Sequence, residues 1–184
     1  MKKDFSQTGV VAGPLKTIDS ETMDLVVEHE LHGGTPEMLG WWWWNMVDSE
    51  YYRLLHPKDH ISIEWVIRPS KGQLAGSVFV AEERIGEIPA TKLRMLVLDP
   101  ASSPITPIYD YARASCILGP ADKPVGWIMH EYRPEPYGIR MRSTFRLSKS
   151  SSQQFIDALR QHNKEEMGQF PKFLPALYKE NVSK

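Results

Sequence analysis

From residue 61 to residue 147 the chain offers one strand-like run after another, and no stretch in that interval has the period of a helix. The runs fall at 61–67, 74–88, 91–98, 105–118, 125–133 and 137–147, and Pro89, Asp99-Pro100, Gly119-Pro120 and Pro134 to Pro136 punctuate them. Consecutive strands joined by short turns, with no crossover helix, can pair only antiparallel. A further strand precedes them over 23–31, where Met23, Leu25, Val27, His29 and Leu31 alternate with Asp24, Val26, Glu28 and Glu30. In the last run Arg140, Arg142 and Arg146 share one face and Ile139, Met141, Phe145 and Leu147 the other. The arginines read as a solvated face rather than an anion site.

Helical signals lie on either side of this series. Thr35 offers an N-cap hydroxyl, Pro36 suits the first helical position, and Glu37 places negative charge at the positive end of the helix dipole. Leu39, Trp43 and Met46 then share one side, while Trp41 to Trp44 step about 100° each and point almost all around the axis. At least one of these rings must line a cavity, cover the sheet elsewhere or meet another subunit, so the helix leaves room for a homodimer. Ser150 to Ser152 can cap a closing helix on which Phe155, Leu159, His162 and Glu166 form one stripe; Pro171 and Pro175 should break or kink the chain beyond that stripe. Strand, helix, long antiparallel meander and terminal helix is the order of an α+β, Bet v 1-like helix-grip fold. In that fold a curved antiparallel sheet wraps a long C-terminal helix around an internal cavity. Residues 1–22 are polar and should lie over the surface or stay partly disordered, leaving 23–184 as a single domain.

The totals exclude several partners. A chain of 184 residues can bury one core without staples, and a net charge of -1 supplies no field to gather nucleic acid or an anionic membrane. No run approaches eighteen apolar residues, and the first residues lack the apolar stretch of a signal peptide. Cys116 is the single cysteine, which rules out an internal disulfide and a thiolate-clustered zinc site and fits a cytoplasmic protein. Its apolar surroundings mark it as packed rather than nucleophilic. There is no phosphate-binding glycine loop and no Gly-x-Ser-x-Gly elbow. Small ligands remain.

Among the six histidines, two should point inward. His130 shares a strand face with Ile128 and Tyr132, and His162 shares the terminal stripe with Phe155 and Leu159. A buried imidazole left unpaired costs roughly 1 to 3 kcal/mol, so each needs a partner. A carbonyl or hydroxyl would serve, but several histidines converging with a carboxylate would suit zinc or another divalent ion. The residues alone leave open whether His56 or His60 joins such a site, and whether its acid is Glu82, Glu83 or Glu87.

Taken together, GGTPEMLGWWW, YYRLLHPKDHISIEW, KLRMLVLDP, HEYRPEPYGIRMRSTFRL and HNKEEMGQFPKFLPALY resemble the 2,4-diacetylphloroglucinol hydrolase family, in the family's order and from Met23 to Tyr178. The resemblance implies a cavity holding Zn2+, with Fe2+ or Mn2+ suited to the same ligand types. The implied ligands are His56, Glu87 with Glu83 in reserve, His130 and His162. It also implies hydrolysis of a carbon-carbon bond between an acyl group and an activated phenolic ring, the substrate being a small hydrophobic aromatic or polyketide-like molecule. Candidates for proton delivery and for hydrogen bonds to the acyl oxygen are Tyr51, Tyr52, Asp59, His60 and Tyr132. Two departures stand out: Asp59 occupies the place of an asparagine, and Phe145 that of a tyrosine. They point to a different substrate or even a different reaction. The alternatives are therefore a non-hydrolytic cyclase, isomerase or other natural-product tailoring enzyme in the same cavity, and a protein that binds hydrophobic ligands without turnover.

Overall fold

The alternation over 137–147 becomes a central strand, paired on one side from Gly138 to Ser148 and on the other from Gly138 to Arg146. The computed structural model describes residues 10–70 and 72–182. Among the described residues there are eight strands, β1 (Val10–Thr17), β2 (Thr22–His32), β3 (His60–Ile67), β4 (Val78–Ile85), β5 (Ile88–Leu98), β6 (Tyr111–Leu118), β7 (Pro124–Glu135) and β8 (Gly138–Ser148). They form one antiparallel sheet in the order β1-β2-β8-β7-β6-β5-β4-β3. β8 pairs with β2 from Thr22↔Ser148 to His32↔Gly138. The three arginines on its outer face are tied into ion pairs, Arg140 with Glu28, Arg142 with Glu131 and Arg146 with Asp24.

The expectation that 1–22 lies over the surface is corrected for its second half. Val10–Thr17 pairs with β2 as an edge strand, with a register shift between Ala12 and Leu15. Gly13-Pro14 falls inside that shift, which is where an edge strand tolerates proline and where the alternation read from sequence is interrupted. Residues 1–9 lie outside the described residues.

The helices are α1 (Pro36–Asn45), α2 (Ser49–Leu55), α3 (Gln153–Met167) and α4 (Phe170–Val182). Thr35 caps α1, its hydroxyl accepting from Met38 N–H at 3.4 Å, and Ser152 caps α3 in the same manner through Phe155 N–H at 3.2 Å. The terminal helix ends at Gly168 and resumes at Phe170. Pro171 falls in the first turn of α4, where no intrahelical N–H is required. Pro175 sits inside that helix, which continues past it. This break lets α4 turn back over α1, and the tryptophan run is satisfied on several sides at once. Trp41 meets Tyr178 edge-on at 5.7 Å, Trp42 is fully buried against Phe170 and Phe173, and Trp43 turns towards the sheet. Only Trp44 of the four is exposed. Between the sheet and α3 lies a cavity of about 260 Å³. Among the described residues no helix is long and apolar enough to cross a membrane.

Candidate metal centre and cavity

The chain builds the first polar group of this cavity where α2 gives way to β3. Asp48 caps α2 by accepting from the N–H groups of Glu50 and Tyr51 at 3.0 Å each. The helix stops at His56 because Pro57 comes next and pushes the preceding residue to extended backbone; His56 has φ -152° and ψ 84°. Asp59 and His60 then both donate their backbone N–H to the His56 carbonyl, at 3.2 and 2.9 Å. β3 opens at His60, and its cross-strand partner on β4 is Glu83. α3 packs on β4 and carries His162 and Glu166, one turn apart, to the same corner.

Two groups of ligand atoms converge there, each with all atoms within 4.8 Å of one another: His56, Asp59 and His162, and His60, Glu83 and His162. Their orientations differ in a way that matters. His60 Nδ1 lies 3.0 Å from the Tyr52 carbonyl, which can only accept, so Nδ1 carries the proton and Nε2 keeps its lone pair. That Nε2 is buried without a hydrogen-bond partner, 3.5 Å from Glu83 Oε2 and 3.9 Å from Glu166 Oε1. His56 uses the same nitrogen in the opposite role, since its Nδ1 accepts from Asp59 N–H at 3.2 Å. Its Nε2 faces Glu165 at 3.2 Å and Asp59 at 3.5 Å.

Neighbours fix the remaining members. His162 Nδ1 lies 3.3 Å from Asp59 Oδ2, a carboxylate–imidazole pair that orients the ring. Tyr52 Oη donates to Glu83 Oε2 at 2.5 Å, while the Tyr52 ring stacks on His60 at 4.0 Å. Asn163 Nδ2 donates to Glu166 Oε2 at 3.4 Å, and Asn163 Oδ1 is 2.9 Å from His29 Nε2 on β2.

Burial is the largest influence on the titrating groups here. It pushes the Glu166 carboxyl up to about 8, with repulsion from Glu83 adding to it. Glu83 is raised for the same first reason, opposed by the Tyr52 hydroxyl. Burial holds His60 down to about 3 and His162 to about 4, with the neighbouring imidazoles contributing in the same direction. The result is neutral imidazoles with free lone pairs beside carboxylates that repel each other. This donor set fits a divalent cation, which would pair both carboxylates and take up the orphaned Nε2.

A second polar group lies on the central strands. Arg113 on β6 stands directly opposite His130 on β7, and both side chains line the cavity. His130 Nδ1 is 2.9 Å from Ser143 Oγ, and its ring stacks on Trp43 at 5.9 Å. The Arg113 guanidinium carbon sits 4.7 Å from the Trp43 ring centroid. Burial, then the Arg113 charge, holds His130 down to about 3. Apolar side chains form most of the remaining wall, among them Met46, Leu55, Phe79, Met95, Ile128 and Phe145.

The residues singled out in the sequence divide accordingly. His56, Asp59, His60, His162 and Tyr52 come together, with Glu83 as the strand glutamate. Glu87 does not join them: Ile85 pairs with Ile88, Gly86 takes φ 62°, and Glu87 is exposed at the hairpin turn. The predicted strand over 74–88 runs straight through this reversal, which is why Glu87 looked as well placed as Glu83. His130 lies in the cavity wall but in neither ligand group. Tyr51 stacks on Trp42 at 5.8 Å, and Tyr132 stacks on Tyr111 at 5.4 Å. Burial pushes the Tyr132 hydroxyl up to about 12. Sequence reading missed Glu166 and Arg113. The signal for Glu166 was present, since His-x-x-x-Glu on a helix puts both side chains on one face.

The family model described as DAPG hydrolase PhiG domain matches residues 17–179. No curated protein matches the chain significantly. The fold is similar to that of Ara h 8.0201, with a TM-score of 0.57 and 12% identity over 84% of this chain and 99% of that one. Protein Ms6760 from Mycobacterium smegmatis gives a TM-score of 0.53 at 12% identity, covering 91% of this chain and 99% of that one. Protein NE0264 from Nitrosomonas europaea gives 0.52 at 16% identity, covering 91% and 100%. At these identities the likeness concerns the fold, which is the Bet v 1-like helix-grip.

Proposed function

Because the chain belongs to the DAPG hydrolase PhiG domain family, we propose that it hydrolyses the carbon-carbon bond between an acyl group and the ring of a phloroglucinol-type ketone. In this reading a divalent metal is held by His60, Glu83, His162 and Glu166. The observation that carries it is the buried, unpartnered His60 Nε2 facing two carboxylates. Of these four, Glu83, His162 and Glu166 line the cavity and His60 stands behind them; His56 and Asp59 do not line it. Two imidazoles and two carboxylates suit zinc, and iron(II) or manganese(II) accept the same ligands. When bound, such an ion supplies a Lewis acid that draws electron density from the acyl oxygen.

The chain's own residues do the remainder. The net reaction adds one water: the acyl carbon gains OH and leaves as an acid, and the ring carbon gains H. The apolar wall holds the ring and keeps bulk water from it. Burial and Glu83 raise the Tyr52 hydroxyl well above 10, so it holds its proton at Oη; Tyr52 is our candidate to pass that proton towards the departing ring carbon. His130, neutral and tied to Ser143, orients the ring from the central strands. Asp59 aligns His162 rather than touching substrate. Phe145 meets His130 edge-on at 6.2 Å and presents no hydroxyl, so it offers the substrate ring an apolar contact. The buried Cys116 is compatible with a cytoplasmic setting.

The test is incubation of the purified protein with 2,4,6-trihydroxyacetophenone. Acetate and phloroglucinol should appear in equal amounts, and a chelator should stop their release. A product isomeric with the substrate would replace this reading by the cyclase or isomerase one.

A further inference from the structure

We propose that Arg113 forms a subsite for an oxyanion on the substrate ring, a phenolate or a ring carboxylate, and so selects anionic over neutral acylphenols. The inference rests on the reading of this cavity as a site for acylated phenols, and adds the charge state of the preferred substrate.

Arg113 is 8% exposed, and its Nε and Nη2 are buried without hydrogen-bond partners. Among the described residues it makes no ion pair either, although Glu83 and Glu166 belong to the same cavity. A guanidinium keeps its charge at neutral pH even here, where burial lowers it only to about 10. Taking an unpaired cation out of water is costly, and its aromatic neighbours offset only part of that: the guanidinium carbon is 4.7 Å from the Trp43 ring centroid and 5.9 Å from that of Phe79. What these contacts do achieve is to fix the plane of the fork while its N–H groups stay unspent. A fixed guanidinium fork matches two lone pairs of one oxyanion, or two oxygens of a carboxylate.

The surroundings agree with an anion. His130 is the cross-strand neighbour of Arg113 and lines the same wall; it is neutral and can donate one ring N–H without adding a second charge. A phenol carrying an acyl group ionises more readily than phenol itself, because the carbonyl delocalises the negative charge. The ring would therefore sit with its oxyanion towards Arg113 and its acyl group towards Glu83, His162 and Glu166.

Calorimetric titration of the purified protein with two matched probe pairs tests this. One pair is 2,4,6-trihydroxyacetophenone and its trimethyl ether; the other is 2,4-dihydroxybenzoate and its methyl ester. For Arg113→Met the Kd of the ionisable member should rise on the order of tenfold to a hundredfold, the range for losing a charged hydrogen-bond partner, while that of its ether or ester changes by less than about twofold. Selective loss in the first pair identifies a phenolate, and in the second a carboxylate. Arg113→Lys, which keeps the charge and loses the fork, should retain part of the selectivity and guards against a folding defect in the methionine variant. Equal losses for both members of each pair, or no loss, would overturn the proposal. Selective binding by a wild-type protein that releases no acid would leave the proposal standing and overturn the hydrolase reading instead.

Discussion

The two polar groups of the cavity are built in opposite ways. At the corner of β3, β4 and α3, carboxylates and neutral imidazoles crowd together, and nearly every one is aimed by a neighbour: His60 by the Tyr52 carbonyl, His162 by Asp59, Glu83 by Tyr52, Glu166 by Asn163. On β6 and β7 a single guanidinium lies against Trp43 with no anion among the described residues to pair it, beside a histidine anchored to Ser143. One group has clustered carboxyl groups and oriented lone pairs, the other a positive charge and unspent donors. The cavity is therefore polarised along its length. A ligand that is electron-rich at the ring and carries a carbonyl at the other end would satisfy both groups at once.

This polarity fails most visibly if the two ends prove to be interchangeable. Glu166→Gln should lower kcat/KM roughly a thousandfold or more and abolish metal retention, because several kcal/mol of charge stabilisation depend on the ion. It should leave the discrimination between phenol and ether intact in binding experiments. Arg113→Met should do the reverse, keeping the metal while losing anion selectivity; its melting temperature should hold or rise, since removing a buried unpaired cation is often neutral or stabilising. Asp59→Asn should weaken metal affinity by about tenfold, measured by competition with a chelator, because it loosens the ring of His162 without removing a ligand.

The pH dependence of stability carries the same contrast. His29 and His162 have folded values of about 4, and His60 and His130 of about 3, all below the ordinary 6.5. Their contribution is present above 6.5 and is lost as pH falls towards those folded values. Glu166 runs the other way: raised from 4.5 to about 8, it contributes stability below 4.5 that is lost as pH rises through 8. With four histidines against one glutamate, the metal-free protein should melt highest near pH 6.5 and lose stability on both sides. Metal should remove the decline on the alkaline side, because it stabilises the ionised carboxylates; melting curves of chelated and loaded protein across pH 4 to 9 check this. The smallest effect belongs to Trp44→Gln, which should change stability by less than about 0.5 kcal/mol because the ring is exposed. Trp42→Ala should cost about 3 to 5 kcal/mol.

The fold was largely legible because alternation survives where one face of a strand is charged, as on β2 and β8 with their paired acids and arginines. β1 escaped because Gly13-Pro14 interrupts its pattern at a register shift. The site was legible in its histidines and less so in its acids. Glu87 and Glu83 lie on one predicted run, and only the reversal at Gly86 separates them. The His56–His60 segment could not be resolved from spacing, since the turn that spends the Nδ1 of His56 and frees the Nε2 of His60 is set by backbone hydrogen bonds. Glu166 stood on the right stripe but counted there only as helical periodicity. Arg113 left no trace, because β6 is covered on both faces: Arg113, Ser115 and Ile117 line the cavity, while Ala114 packs with Ile105 and Met129.

Whether the acidic corner is a metal centre is decided by metal content per chain, measured on wild type, His56→Ala and Glu166→Gln after gentle purification. One divalent ion per chain is expected in wild type, retained in His56→Ala and lost in Glu166→Gln. A wild-type protein without stoichiometric metal would contradict this assignment, as would an ion lost with His56 and kept without the Glu166 carboxylate.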